Sequence, residues 1–203
     1  MFVKMKQKID KYFWNNRYIS GTIGWDIGKI SNPLREYFDQ LKNKEKTILI
    51  PGCGNSYEAE YLHKKGFANV YILDYSSKAL ENFKLRVPSF PRNNIINKDF
   101  FSLNGKFDLI IEQTFFCALE KKRRYQYVLK IHELLKKGGK AVGVLFNQKF
   151  ETEGPPFGGN KQEYYNLFSN YFQFKVFNNC YNSISQRSKR ELFFIAIKIQ
   201  NSE

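Results

Sequence analysis

The 203-residue sequence predicts an α/β fold: a doubly wound, mostly parallel, seven-stranded sheet with an antiparallel last strand, preceded by a helical N-terminal lid. Three observations predict it. Short apolar runs alternate with helix-length stretches over residues 47–146, which implies parallel strands joined by right-handed crossovers. The first of those runs turns directly into Gly52-Cys53-Gly54, and the second ends at an acid, Asp74. Past residue 146 the pattern changes: two β-rich runs are joined by a polar stretch too short for a crossover helix, so they are expected to pair antiparallel.

Each element has its own local reason. Residues 1–46 read as helical and mixed, interrupted at Ser20-Gly21-Thr22 and again at Gly24. Asn32 caps a helix with Pro33 in its first turn, and Leu34, Tyr37, Phe38 and Leu41 recur at helical spacing. Residues 47–51 form a short apolar strand, 55–65 a helix stopped at Gly66, and 70–73 a second strand. Ser76 caps a helix that runs to about Arg86, Ile95 and Ile96 make a weak third strand, and 107–111 a clear fourth. A helix is expected over 121–137, closed by Gly138-Gly139, with a fifth strand at 141–146. A Pro/Gly loop follows at 154–159, then a short helix at 162–170 and the closing strands at 172–177 and 192–199. With no repeat, low-complexity tract or linker, the expectation is one domain over 1–203, its α/β core at 47–199.

Composition bounds the function. Hydrophobic residues make up 42% and charged residues 26%, as in globular domains. No stretch approaches the roughly 20 apolar residues of a membrane span, and the N-terminus has no apolar core of signal-peptide length. Cys53, Cys117 and Cys180 are too few and too unevenly spaced for a disulfide framework or a zinc site, so no metal and a reducing, cytoplasmic setting are expected. The net charge of +14 could serve nucleic acid or steer small anions. The basic residues are scattered, densest at 121–124 and 187–190, which reads as a solvated surface. A small-molecule substrate, no nucleic acid, no membrane and a monomer or weak dimer are expected.

The candidate site begins where the first strand turns into a helix. Glycines at 52 and 54 let the backbone approach a ligand closely. Asp74 lies 20 residues after Gly54, where an acid accepts hydrogen bonds from a ribose diol. The pattern could also serve a nicotinamide enzyme, but Tyr57 occupies the third glycine position of that fingerprint and breaks it. Asp99-Phe100 follows the third strand, where an acid can reach an adenine amine. The end of the fourth strand, at Glu112, faces the same crevice. A helix, two glycines and a strand then follow over 134–141, with an antiparallel ending that a nicotinamide domain does not need.

With these features the chain resembles the class I, Rossmann-like S-adenosylmethionine-dependent methyltransferases. More narrowly, Trp14 and Tyr18 before Gly24-Trp25-Asp26, the run 50–54 with Pro51 in place of the usual acid, the run 114–120 and the loop 154–159 are similar to the thiopurine S-methyltransferase family, in its plant and bacterial branch of thiol and halide methyltransferases. The resemblance covers Tyr12 to Lys198. It implies S-adenosyl-L-methionine as cofactor, held by Trp14, Tyr18, Trp25, Gly52, Asp74, Asp99, Phe100 and Gln113. Tyr18 stands where a close relative carries tryptophan. Indole faces suit a sulfonium, which they attract by about 0.5–2 kcal/mol.

Methyl transfer needs alignment and water exclusion more than acid–base groups, so no catalytic residue is assigned. Phe115, Phe116 and Phe157 are expected to line an apolar acceptor pocket, and Arg187 with Lys189 to draw in an anion. Cys117 reads as a buried small residue, and His63 and His132 as exposed residues outside the chemistry. The expected acceptor is a small soft nucleophile: a thiol, hydrosulfide, thiocyanate, halide or thiopurine. A nucleic-acid or other O/N-methyltransferase and a non-catalytic cofactor-binding protein remain as alternatives. The first lacks both a binding module and an Asn/Asp-Pro-Pro-Tyr or Phe motif for presenting a flipped base.

Overall fold

The computed structural model describes residues 8–151 and 153–200. Five strands pair in parallel: β1 (Ile48–Pro51), β2 (Val70–Asp74), β3 (Ile95–Asn97), β4 (Phe107–Gln113) and β5 (Leu135–Phe146). The last two, β6 (Phe172–Asn179) and β7 (Glu191–Lys198), pair with each other antiparallel, and β7 runs antiparallel to β5. The sheet order is β3-β2-β1-β4-β5-β7-β6, so winding reverses at β1. That reversal opens a crevice at the carboxyl ends of β1 and β4, where open α/β sheets bind ligands.

The central strands β1, β2 and β4 are buried on both faces, which is why they read as continuous apolar runs. Ile48, Ile50, Leu109, Ile111, Val142 and Val144 face a layer built from α2 (Asn32–Asp39), α3 (Tyr57–Lys64) and α4 (Ser77–Arg86). Leu49, Ile110, Ala141 and Leu145 face α5 (Arg124–Leu134) and α6 (Lys161–Phe168). A first helix, α1 (Lys11–Ile19), lies outside both layers, against α4. Among the described residues no helix is long and apolar enough to cross a membrane.

Several boundaries differ from the sequence expectation, for local reasons. The helix expected over 121–137 is a 3-10 turn at Lys121–Arg123 followed by α5, which stops at Leu134. Leu135 is buried and pairs with Phe107, so the chain is already strand there, and Gly138 at φ +69 helps it through the bulge before Leu109 pairs with Lys140. The expected first turn of α3 is lost because Ser56 is left-handed at φ 54. At α2 the cap position falls on Ser31, while the Asn32 amide donates to the Asn182 carbonyl at 3.1 Å. Ser76 caps α4 as expected, accepting from Ala79 N at 3.1 Å. β4 continues through Gln113. Both histidines are half-buried rather than exposed, His63 against Phe90 and His132 between Tyr171 and Phe172.

Candidate active site

The crevice is a cleft with an empty volume, open mouth included, of about 1480 Å³. Its floor is the turn from β1 into α3. Gly52 and Gly54 both have positive φ there, at 57 and 54. A Cβ on Gly52 would run into the Phe115 ring, and one on Gly54 into the Tyr18 hydroxyl. The two glycines are thus where the loop after β4 and the lid press against the turn.

Asp74, only 8% exposed, ends β2 beside this turn. Its two oxygens accept from Gly54 N and Ser76 N, each at 2.8 Å. Burial raises its carboxyl above the usual range, and these backbone donors, with Tyr75, pull the other way. Further along the sheet edge, Asp99 accepts from Phe101 N at 2.9 Å, and Tyr75, Phe100 and Phe101 line the wall around it. The Arg123 guanidinium lies 4.0 Å over the Phe101 ring. Burial and the neighbouring Asp99 push the Tyr75 hydroxyl up to about 12.

Trp14, Tyr18 and Trp25 form one edge-to-face aromatic group over the cleft, with Trp25 5.5 Å from Trp14 and 5.8 Å from Tyr18. Three contacts dock this lid. Asn15 Oδ1 accepts from Lys78 N and Ser76 Oγ, both at 3.0 Å, pinning α1 to the start of α4. Asn55 Nδ2 donates to Asp26 Oδ2 at 2.5 Å. Arg187 Nη2 donates to the Trp25 carbonyl at 2.6 Å.

All eight residues expected at the cofactor line the cleft, as does Phe115. Four residues expected at the acceptor do not, among them Lys189, which is exposed at φ 61 in the turn before β7 and outside the cleft. Phe116 is 1% exposed and packs into the core against Tyr127, Tyr164 and Phe168, whereas Phe115, which also meets Tyr127, stays at the cleft edge of that cluster. Phe157 is held in its loop by the bond from its N–H to the Cys117 carbonyl and by the bond its carbonyl accepts from Arg124, so Pro155 and Pro156, joined by a cis peptide, face the cleft instead. Arg187 is 8% exposed and engaged by Glu191 at 3.4 Å and by the lid carbonyl, so it is not free to draw in an anion.

Sequence reasoning missed Asn15, Asp26, Glu58, Tyr75 and Arg123, which line or dock the cleft from elements already placed. It also missed the support beneath Phe115. Glu112, 1% exposed, accepts from Phe115 N and Phe116 N at 2.8 Å each and from the Tyr127 hydroxyl at 2.6 Å. Burial pushes it up to about 7. An acid directly after the apolar run 109–111 of β4 was the available signal.

The cleft thus gathers two acids, Asp74 and Asp99, with the aromatic wall of Phe100, and beside them Gln113 Oε1 and Asn55 Oδ1 are buried without hydrogen-bond donors. Comparison with known proteins identifies the family. The thiopurine S-methyltransferase (TPMT) family matches residues 9–197. The chain is 29% identical over 156 residues to a probable thiol methyltransferase 2 of Arabidopsis thaliana, covering 74% of this chain and 69% of that protein. It is 30% identical over 181 residues to a thiopurine S-methyltransferase of Vibrio campbellii, covering 80% and 83%. The structure of Burkholderia thailandensis 1,6-didemethyltoxoflavin-N1-methyltransferase, bound to its substrate and S-adenosylhomocysteine, superposes with a TM-score of 0.73 at 14% identity, covering 94% of this chain and 87% of that one, which shows a shared fold. A match reaching from the lid to β7, on a sheet wound in this order, places the chain in the thiopurine S-methyltransferase family, and it is an S-adenosylmethionine-dependent methyltransferase.

Proposed function

We propose that this methyltransferase acts on a small soft nucleophile: a thiol, hydrosulfide, thiocyanate, halide or thiopurine. One observation carries the reading. The cleft wall made by Phe115, Ala118, Leu119, Pro155 and Pro156 is apolar and carries no group of its own that could take a proton. Burial pushes the Cys117 thiol up to about 12 and the Cys53 thiol well above its usual range, so both stay protonated. Glu120 pairs with Lys122 at 2.9 Å, Asp26 holds Asn55 and Gly28, and neither histidine lines the cleft. A soft anion arrives already nucleophilic, whereas a hard oxygen acceptor would need its proton removed.

S-adenosylmethionine, when bound, supplies an electrophilic methyl on a sulfonium. The chain's part is binding, alignment and exclusion of water. Asp74 would accept from the ribose diol, Asp99 and Phe100 would hold the adenine, and Gln113 would meet the rest of the cofactor. Trp14, Tyr18 and Trp25 close over it. The names of the Arabidopsis and Vibrio relatives support sulfur acceptors. The test is a side-by-side assay of hydrosulfide, thiocyanate, iodide and a thiopurine against catechol, a carboxylate and RNA, with products identified by mass. Turnover of soft acceptors is expected. Turnover confined to an oxygen or nucleic-acid acceptor overturns the reading.

A further inference from the structure

Glu112 is a buried acid that the proposed reaction does not use. It stands next to last in β4, beneath the turn at 114–118. One oxygen, Oε1, accepts from both Phe115 N and Phe116 N, and the other, Oε2, accepts from the Tyr127 hydroxyl. Among the described residues no cation pairs with it. The other charged and titratable groups that face it are Arg124 from α5, Cys117 from the turn, and Tyr164 and Glu191, which line the small cavity beside it from α6 and β7. Arg124 is spent on the Phe157 and Gly158 carbonyls and on Glu163, and Glu191 is spent on Arg187. Glu112 therefore has donors but no direct counter-charge.

The turn it holds is strained and carries both apolar walls of the cleft. Thr114, a β-branched residue, is left-handed at φ 59, a conformation that persists only where the surroundings fix it. The next residue, Phe115, presses its ring against Gly52 and meets Phe100 edge to face at 5.3 Å, both residues expected at the cofactor. The Cys117 carbonyl accepts from Phe157 N at 2.6 Å, so the loop that presents Pro155 and Pro156 hangs on the same turn.

We infer that Glu112 is a positioning residue for methyl transfer: through Phe115 N and Phe116 N it sets the acceptor wall against the cofactor, and its ionised form holds that wall more tightly than its neutral form. A charge-assisted hydrogen bond is shorter than a neutral one and about twice as strong. A neutral carboxyl keeps one carbonyl oxygen for the two N–H groups and must turn its own O–H toward Tyr127. Burial pushes this acid up to about 7, so both forms are populated around neutral pH. Ionisation costs the whole fold stability, because the charge is buried, while it tightens this turn. Displacement depends on alignment of the reacting groups, so a looser wall weakens acceptor binding before it touches the cofactor. The inference rests on the acceptor reading and adds to it the residue that shapes the acceptor subsite.

Kinetics with thiocyanate and iodide test it, since neither anion changes charge between pH 5.5 and 8.5. In wild type the acceptor KM should fall about threefold as pH rises across that range, while the Kd of S-adenosylhomocysteine stays within about twofold. Glu112→Gln keeps a carbonyl for the two N–H groups and cannot ionise, so its acceptor KM should stay near the low-pH value of wild type throughout. Tyr127→Phe removes a donor to the charged form and should move the inflection to higher pH. A purely structural role moves none of these profiles. A second readout needs neither variant nor acceptor: in NMR spectra of wild type the Phe115 and Phe116 amide protons should move downfield together as pH rises through about 7. Equal KM profiles for wild type and E112Q, or amide protons that stay put, overturn the inference and leave the acceptor reading standing. If neither anion turns over, the acceptor reading fails for them, and the amide protons alone decide whether the charge on Glu112 tightens the turn.

Discussion

Asp74 illustrates how one side chain can hold the site together and face the ligand. Its carboxylate closes the glycine turn through Gly54 N and Ser76 N. If it also accepts charge-assisted bonds from the ribose diol, Asp74→Ala should cost about 1.5–3 kcal/mol of cofactor binding, one to two decades of affinity. Asp74→Asn keeps one carbonyl acceptor and should lose less. Calorimetry on folded variants checks both, and an unchanged affinity in D74A removes the role. Glu112 gives a second prediction, with a definite sign. Its pKa is raised from 4.5 to about 7 in the folded chain, so the folded state binds the proton more tightly than the unfolded one. The stability that protonation contributes is complete below about pH 4.5 and is lost as pH rises through about 7. The rise corresponds to about 3 kcal/mol. Glu112→Gln should therefore flatten the fall in stability across that window, read as urea-unfolding midpoints at pH 4.5 and 8. Parallel pH profiles for wild type and variant would contradict it.

At the scale of elements, the lid lies outside the two helix layers and is held from one side. It meets the core through the Asn15, Asp26 and Trp25 contacts and through aromatic edges, with Gly21 and Gly24 between the two tryptophans. Segments with few buried contacts open first, and bound ligand holds them shut. Trypsin should cut at Arg17 or Lys29 quickly in the free protein and slowly with S-adenosylhomocysteine. Asn15→Ala, which removes the acceptor for Lys78 N, should speed cutting in the free protein. Equal rates with and without ligand would rule the lid motion out. Helix caps and strand ends were readable where a single residue sets them, as at Ser76. They were misread at 135–140, where the pairing of Leu135 with Phe107 overrides a run that is helical in composition.

Over the whole molecule, 33 basic residues against 19 acidic ones create a positive field. Lys29, Lys98 and Arg123 bring part of it to the cleft. Such a field raises the encounter rate of anions, and salt screens it, with the Debye length falling from about 30 Å at 0.01 M to about 8 Å at 0.15 M. For an anionic acceptor, kcat/KM should fall severalfold across that range. A neutral thiol acceptor should change little, and the same fall for both would show that the field does not act on the acceptor.

The order of strands and helices, the reversal of winding and the antiparallel ending were written in the sequence, because each depends on local periodicity, on short connections and on two connected β-rich runs. The glycine turn and Asp74 were legible for the same reason: a turn needing positive φ and an acid at a strand end announce themselves within a few residues. Which of two neighbouring phenylalanines faces the cleft was decided only by tertiary structure, since Phe115 and Phe116 differ in nothing but the direction set by the turn that Glu112 holds. Arg187 read as a free cation and is a buried tie between the lid and β7, because its partners, Trp25 and Glu191, come from opposite ends of the chain or from beyond the next turn. Glu58 carries no signal in the sequence, and only the tertiary packing that brings Ser31 N to its carboxylate leaves it buried. Periodicity fixes which elements form, whereas the burial of a single charge depends on every element that meets it.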